Sequence, residues 1–265
     1  MNTHASILTD TKSTSWQETL PEELVKIVRP NGQSELLLVC EHASKFIPAG
    51  LDRLGLDEAA ANSHIAWDPG AMNMAEHLSA AFDATLIAQN VSRLVYDCNR
   101  PPDSPDAMRE TSEIYAIPGN KGLSDAARDA RTQAIYTPFR DALAAAVKNR
   151  PATVLVTVHS FTPVYLGKPR AVEVGILHDA DSRLADAMLA AAAENPAFIT
   201  ERNAPYGPDD GVTHTLVEHA LPRGVHNVMI EVRNDLISDE KGQKELAAWL
   251  AEILTSALKA TAKDA

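Results

Sequence analysis

The chain has 265 residues, 45% hydrophobic and 23% charged, which permits a sizeable core and excludes a disordered polymer. A formal net charge of -12 at pH 7 argues against nucleic acid or an anionic membrane as partner; arginines lining a pocket can still hold a small anion, because the Debye length is about 8 Å. Two cysteines, Cys40 and Cys98, make no disulfide framework, and the opening "MNTHASILTDTKSTSWQ" has neither the basic start nor the apolar run of a secretory leader. No run has membrane-spanning length, so a cytoplasmic protein is the simplest expectation.

Residues 1–19, polar and rich in Ser and Thr, read as a flexible arm ahead of a single catalytic domain over 20–265. Strands are predicted at "ELLLVC" (35–40), "ATLIAQ" (84–89), "TVLVTV" (153–158), "AVEVGIL" (171–177), "AFIT" (197–200) and "NVMIEV" (227–232). Helices are predicted at "AMNMAEHLSAAF" (71–82), over 124–149, at "DSRLADAMLAAAAEN" (181–195), and at the C-terminus, where Leu246, Trp249, Leu250, Ile253, Leu254 and Leu258 form an apolar stripe. Pro138 should kink the second of these or start a new helix after Thr137. Apolar strands without clean alternation, separated by helices, imply a three-layer α/β/α sandwich around a mixed, mostly parallel sheet. Two loops, 99–122 and 203–211, read as functional lids.

In open α/β sheets ligands bind at the carboxyl ends of the strands. Here those ends carry Glu41 and His42, His159 and Ser160, His178 and Asp179, and Glu231 followed by Arg233. One histidine at a strand end is most often a turn residue. Two of them, together with a carboxylate embedded in the apolar "VMIEV", weaken that reading, and because an unpaired buried carboxylate is costly, Glu231 needs a cation, an arginine or a metal nearby. Two histidines and a carboxylate make a common catalytic zinc shell, and a second carboxylate outside it can act as base. "HIAWDPGA" offers Asp68 just before a helix as the ligand, and Glu231 suits the base.

The motifs "VCEHAS", "HIAWDPGA", "SRLVYDCNRP", "VHSFTP" and "IEVRNDLI", spread from position 39 to 237, resemble the N-formylglutamate amidohydrolase family. The resemblance implies hydrolysis of N-formyl-L-glutamate to formate and L-glutamate. It also implies a phosphorylase/hydrolase-like fold, similar to zinc carboxypeptidases and to the zinc amidases that cleave muramoyl-alanine bonds. On that likeness the metal ligands are His42, Asp68 and His159 and the base is Glu231. Glu41 competes with Asp68 if the chain turns at Cys40. The cofactor implied is Zn2+, with manganese, cobalt and iron acceptable to the same donors.

A small anionic N-acyl amino acid brings carboxylates, which arginine meets in bidentate pairs. Arg93, Arg100 and Arg233, all within the matched motifs, are the candidates, with Asn99 for an amide oxygen and His214 as a further donor. Two rival readings stay open: metal-free nucleophilic catalysis by Cys40 or Ser160, and a carboxylate-binding protein without chemistry. Oligomeric state has no signature in the sequence.

Overall fold

The computed structural model describes residues 15–149 and 154–262. Seven strands form one sheet: β1 (Val25–Val28), β2 (Leu36–Cys40), β3 (Thr85–Gln89), β4 (Val154–Phe161), β5 (Val174–Leu177), β6 (Thr200–Arg202) and β7 (Asn227–Arg233), in the order β1-β3-β2-β4-β7-β5-β6. The four central strands β3, β2, β4 and β7 are mutually parallel, and β6 is parallel to β5. β1 runs antiparallel to β3, and β5 antiparallel to β7. The expected mixed, mostly parallel sheet with helices on both sides is observed, with β1 as an addition that the sequence pattern did not signal.

Alternation along the central strands sorts side chains to two apolar layers. Leu36, Leu38, Cys40, Val156, Val158, Val228 and Ile230 face α2 (Ala71–Phe82), α5 (Arg183–Glu194) and α7 (Glu240–Thr261). Leu37, Val39, Leu155 and Met229 face the other way, toward α1 (Glu58–Asn62), α4 (Thr137–Lys148) and α6 (His214–His219). Helix α2 buries Ala71, Met74, Ala75 and Leu78, one stripe at helical spacing, and α7 does the same with Leu246, Leu250, Ile253, Leu254 and Ala257. No helix among the described residues is long and apolar enough to cross a membrane.

Several boundaries differ from expectation for physical reasons. Over 124–149, α3 (Asp125–Arg131) passes through a π-type turn at Thr132–Tyr136 into α4, and Pro138 sits in the first turn of α4, where its missing N–H costs least. The strand expected at 197–200 forms at Thr200–Arg202, beside β5. Of the expected N-terminal arm, residues 1–14 lie outside the described residues, while Trp16–Thr19 form a 3-10 turn whose Thr19 hydroxyl accepts from the Gly50 N–H. Because β5 is antiparallel to β7, Leu177 pairs with Met229 and the chain then runs toward Asn227. His178 and Asp179 therefore leave the rim on which the sequence reading placed them.

Candidate active site

The register of the parallel strands sets the site. Glu231 of β7 pairs with His159 of β4, and Val39 of β2 pairs with Thr157, so the residue two beyond Val39, Glu41, stands level with His159. Glu41, His159 and Glu231 thus form a row on one face of three adjacent strands, and all three are buried. His42 follows at the turn after β2. Its carbonyl accepts from the Asp68 N–H at 3.0 Å, which brings the "DPG" turn alongside. Gly70 makes that turn possible: its φ is +80°, and a Cβ there would lie 2.5 Å from the Ile237 carbonyl oxygen.

Three side-chain atoms then meet. His159 Nδ1 lies 3.1 Å from His42 Nδ1 and 2.9 Å from Asp68 Oδ2, and His42 Nδ1 lies 3.2 Å from that same oxygen. Behind the rings, His42 Nε2 is 2.7 Å from Asp97 Oδ1 and His159 Nε2 is 3.1 Å from Glu41 Oε2, the latter as a charge contact off the hydrogen-bond line. With the Nε2 proton of each ring directed at the acid behind it, both Nδ1 atoms can turn a lone pair inward to a cation. Two lone pairs and a carboxylate oxygen at such distances repel one another unless a positive charge sits among them.

The surrounding charges are consistent with that need. Arg93 donates from Nη1 to Asp68 Oδ1 at 3.1 Å and from Nη2 to Asp97 Oδ2 at 3.0 Å, and the Asn99 N–H donates to Asp97 Oδ1 at 3.0 Å. Burial favours protonation of Asp68 and Asp97, yet His42 and Arg93 beside them hold both well below the usual carboxylate range. Burial also opposes charging His159, and Glu41 and Asp68 outweigh it and raise the pKa of this imidazole. Glu231 differs from its neighbours: its Oε2 is buried without a hydrogen-bond partner among the described residues, and burial pushes its pKa up to about 7 against the pull of His159. Four buried carboxylates, Glu41, Asp68, Asp97 and Glu231, meet here with three arginines, Arg93, Arg100 and Arg109, so the acids outnumber the arginines by one.

The donor set fits a divalent metal. A tetrahedral zinc shell with ligand distances of about 2.0–2.1 Å has donor-to-donor edges of about 3.3 Å, close to the three separations at His42, Asp68 and His159, which also form the one group of potential metal ligands among the described residues. Carboxylates behind both histidines are what a metal site needs to fix ring tautomer and orientation. Of the two acids weighed from sequence, Asp68 is the one in the triangle; the chain does turn after Cys40, and Glu41 stands behind His159.

Residues 34–238, which contain every one of these groups, match the model of the N-formylglutamate amidohydrolase family. The chain belongs to this family. It is 53% identical to gene product Atu2144 from Agrobacterium tumefaciens, with a TM-score of 0.89 over 92% of this chain and 99% of that one. The N-formylglutamate amidohydrolase from Ralstonia eutropha JMP134, at 19% identity, shares the fold with a TM-score of 0.58 over 89% of this chain and 96% of that one. No curated protein matches the chain.

The amidohydrolase pocket, of about 300 Å³, is lined by the triangle and Glu231 and by Arg93, Asn99, Arg100, Arg109 and Tyr206. Both loops read as lids contribute. Tyr206 arrives on 203–211, seated against β5 at Gly175, where a Cβ would lie 1.9 Å from the Ala204 carbonyl oxygen. The 99–122 segment folds a two-stranded ribbon, 111–112 with 115–116, whose tip residue Glu113 joins His64 Nε2 at 2.8 Å and accepts from the Leu166 N–H at 3.2 Å.

Not every polar candidate belongs to this pocket. Arg233 is not among the lining residues; its guanidinium holds Asp235 at 2.8 Å and Glu173 at 3.3 Å, an ion network that its sequence neighbours did not reveal. His214 also stands outside the lining, at the start of α6, with Nε2 2.8 Å from the Tyr136 hydroxyl. Asn99 and Arg100 line the pocket but serve its architecture: Asn99 Nδ2 donates to the Val212 carbonyl and its Oδ1 accepts from the Thr215 N–H, while Arg100 donates to the Gly211 carbonyl. Sequence reasoning missed Arg109, and it offered Asp97 only as an ion-pair partner for Arg93 or Arg100 and not as the acid behind His42. Asp97 had a signal, lying four residues after Arg93 within a matched motif.

Proposed function

We propose that the chain hydrolyses the amide bond of an N-acyl amino acid with a divalent metal, zinc by preference, held by His42 Nδ1, Asp68 Oδ2 and His159 Nδ1. The family supports N-formyl-L-glutamate as substrate, giving formate and L-glutamate. The observation that carries the reading is the set of three inward-facing potential ligand atoms at 2.9 to 3.2 Å, with a carboxylate behind each histidine. A cation bound there supplies Lewis acidity, polarising the acyl oxygen and acidifying a water.

The chain supplies the rest. Glu231 Oε2, buried and unpartnered, takes the proton of the attacking water and returns it to the departing amide nitrogen, and a pKa near 7 lets one group do both. Arg93, fixed by Asp68 and Asp97, lends positive charge beside the developing oxyanion. The rival nucleophiles fit less well. Burial drives the Cys40 thiol well above its ordinary pKa within the apolar layer, and the Ser160 hydroxyl donates to the Pro69 carbonyl at 2.9 Å instead of to a histidine.

Elemental analysis of the purified protein, paired with formate release from N-formyl-L-glutamate, tests the proposal. Stoichiometric divalent metal, loss of activity on chelation and recovery on metal return are expected. Full turnover by verified metal-free protein would overturn it.

A further inference from the structure

Three arginines line the pocket, and two are committed to the protein itself: Arg93 to Asp68 and Asp97, and Arg100 to the carbonyls of Gly211 and Asn99. Arg109 differs. Its guanidinium approaches one carboxylate, Asp106, at 4.0 Å, beyond hydrogen-bond reach, and that aspartate side chain is 56% exposed. Such a contact yields readily to a better acceptor.

The backbone beneath Arg109 is, by contrast, held firmly. Asn120, buried, donates from Nδ2 to the carbonyls of Arg109 and Leu94, each at 2.9 Å, and accepts from Arg131 Nη1 at 2.6 Å. Ala107 and Met108 are buried just before it, and the Ala107 carbonyl accepts from the Asp97 N–H at 2.8 Å, which ties this segment to the acid behind His42. A guanidinium with spare donors is therefore presented to the pocket from a fixed base. Burial and the nearby Arg93 charge both disfavour its ionised form, so an arriving anion relieves an unfavourable field.

Position identifies which anion. Arg109 bonds none of the triangle atoms nor the carboxylates behind them, and it also lines a neighbouring cavity of about 400 Å³ bounded by Pro105, Asp106, Glu110 and Arg128. In an N-acyl amino acid with its acyl carbon at the triangle, the α-carboxylate stays near the scissile nitrogen. The side-chain carboxylate reaches further. We infer that Arg109 is the specificity-determining residue of this site, gripping the distal carboxylate of an N-acyl dicarboxylic amino acid; this rests on the amidohydrolase reading above.

The test compares N-formyl-L-glutamate with N-formyl-L-glutamine, its isostere with a neutral side chain, in the parent and in Arg109→Met, alongside calorimetric binding of L-glutamate and L-glutamine. For the glutamate substrate kcat/KM should fall about 100-fold, mostly through KM, with the glutamine analogue changed by less than about threefold. Retained turnover of the analogue reports a folded variant. Arg109→Lys keeps the charge but not the fork, and its loss should be intermediate, about tenfold. Equal losses on both substrates, or none on N-formyl-L-glutamate, would overturn the inference. Calorimetry separates the two readings: Arg109-dependent glutamate binding without formate release sinks the hydrolysis and retains this role for Arg109. Formate release whose selectivity ignores position 109 does the reverse.

Discussion

The two faces of β4 and β7 differ sharply. Toward α2, α5 and α7, β4 presents Val154, Val156 and Val158 ahead of Ser160, and β7 presents Val228, Ile230 and Val232. Toward the pocket the same strands present Leu155, Thr157 and His159, and Met229 and Glu231, apolar at the start and ionisable at the carboxyl ends. The first face is stability without chemistry. The second carries buried charges that cost folding free energy, and the dry face is what makes that cost tolerable.

The sharpest break between the faces is at neighbouring residues of β7. Glu231→Gln should lower formate release by about 10²–10⁴-fold while leaving metal content and melting temperature at or above parent values, since a buried, unpartnered carboxylate is removed. Undiminished turnover would return the protein to a pure binding role. Ile230→Ala should do the opposite, costing about 2–5 kcal/mol in denaturant unfolding with kcat near the parent value in whatever fraction stays folded. A catalytic loss without a stability loss would erase the contrast.

His219, buried in α6 on the pocket side, sharpens the comparison through pH. Burial pushes its pKa down to about 4, so the folded state keeps it neutral while the unfolded chain protonates it near its ordinary value. Stability from this group is complete above that value and is lost as pH falls toward 4, by up to about 3 kcal/mol. His219→Gln should flatten that part of the stability–pH curve, and an unchanged slope would remove His219 from the account. Asp97→Asn should weaken metal binding by about 10–100-fold without emptying the site, measured by competition with a chelator. Smallest of all, Arg233→Met should change kcat/KM by less than about threefold, the range of a residue away from the substrate; a large rise in KM would put Arg233 back in the pocket.

Much of the site could be read before the structure was seen, and the reasons lie in particular residues. His159 and Glu231 interrupt strands that are otherwise apolar, and such interruptions at carboxyl ends are visible in one dimension. Asp68 announced itself through the turn after it. What stayed hidden depended on where side chains travel. Nothing in the run from Val174 to Leu177 declares its direction, so His178 was assigned to a rim it does not reach. The partners of Arg233 come from residue 173 and from its own turn, while Arg109 sits in a segment whose irregular backbone gives no period to follow. Helix α6, only six residues long, was too short to show a stripe.

The ladder that joins Glu231 to His159 is a backbone feature, and it makes the spacing between this carboxylate and this imidazole a property of main-chain hydrogen bonds instead of rotamer choice. One residue inserted anywhere in β7 ahead of position 231 would turn the carboxylate into the dry layer and bring a valine or isoleucine to the pocket. The segments over the mouth, by contrast, can lengthen, shorten or change charge without touching that spacing.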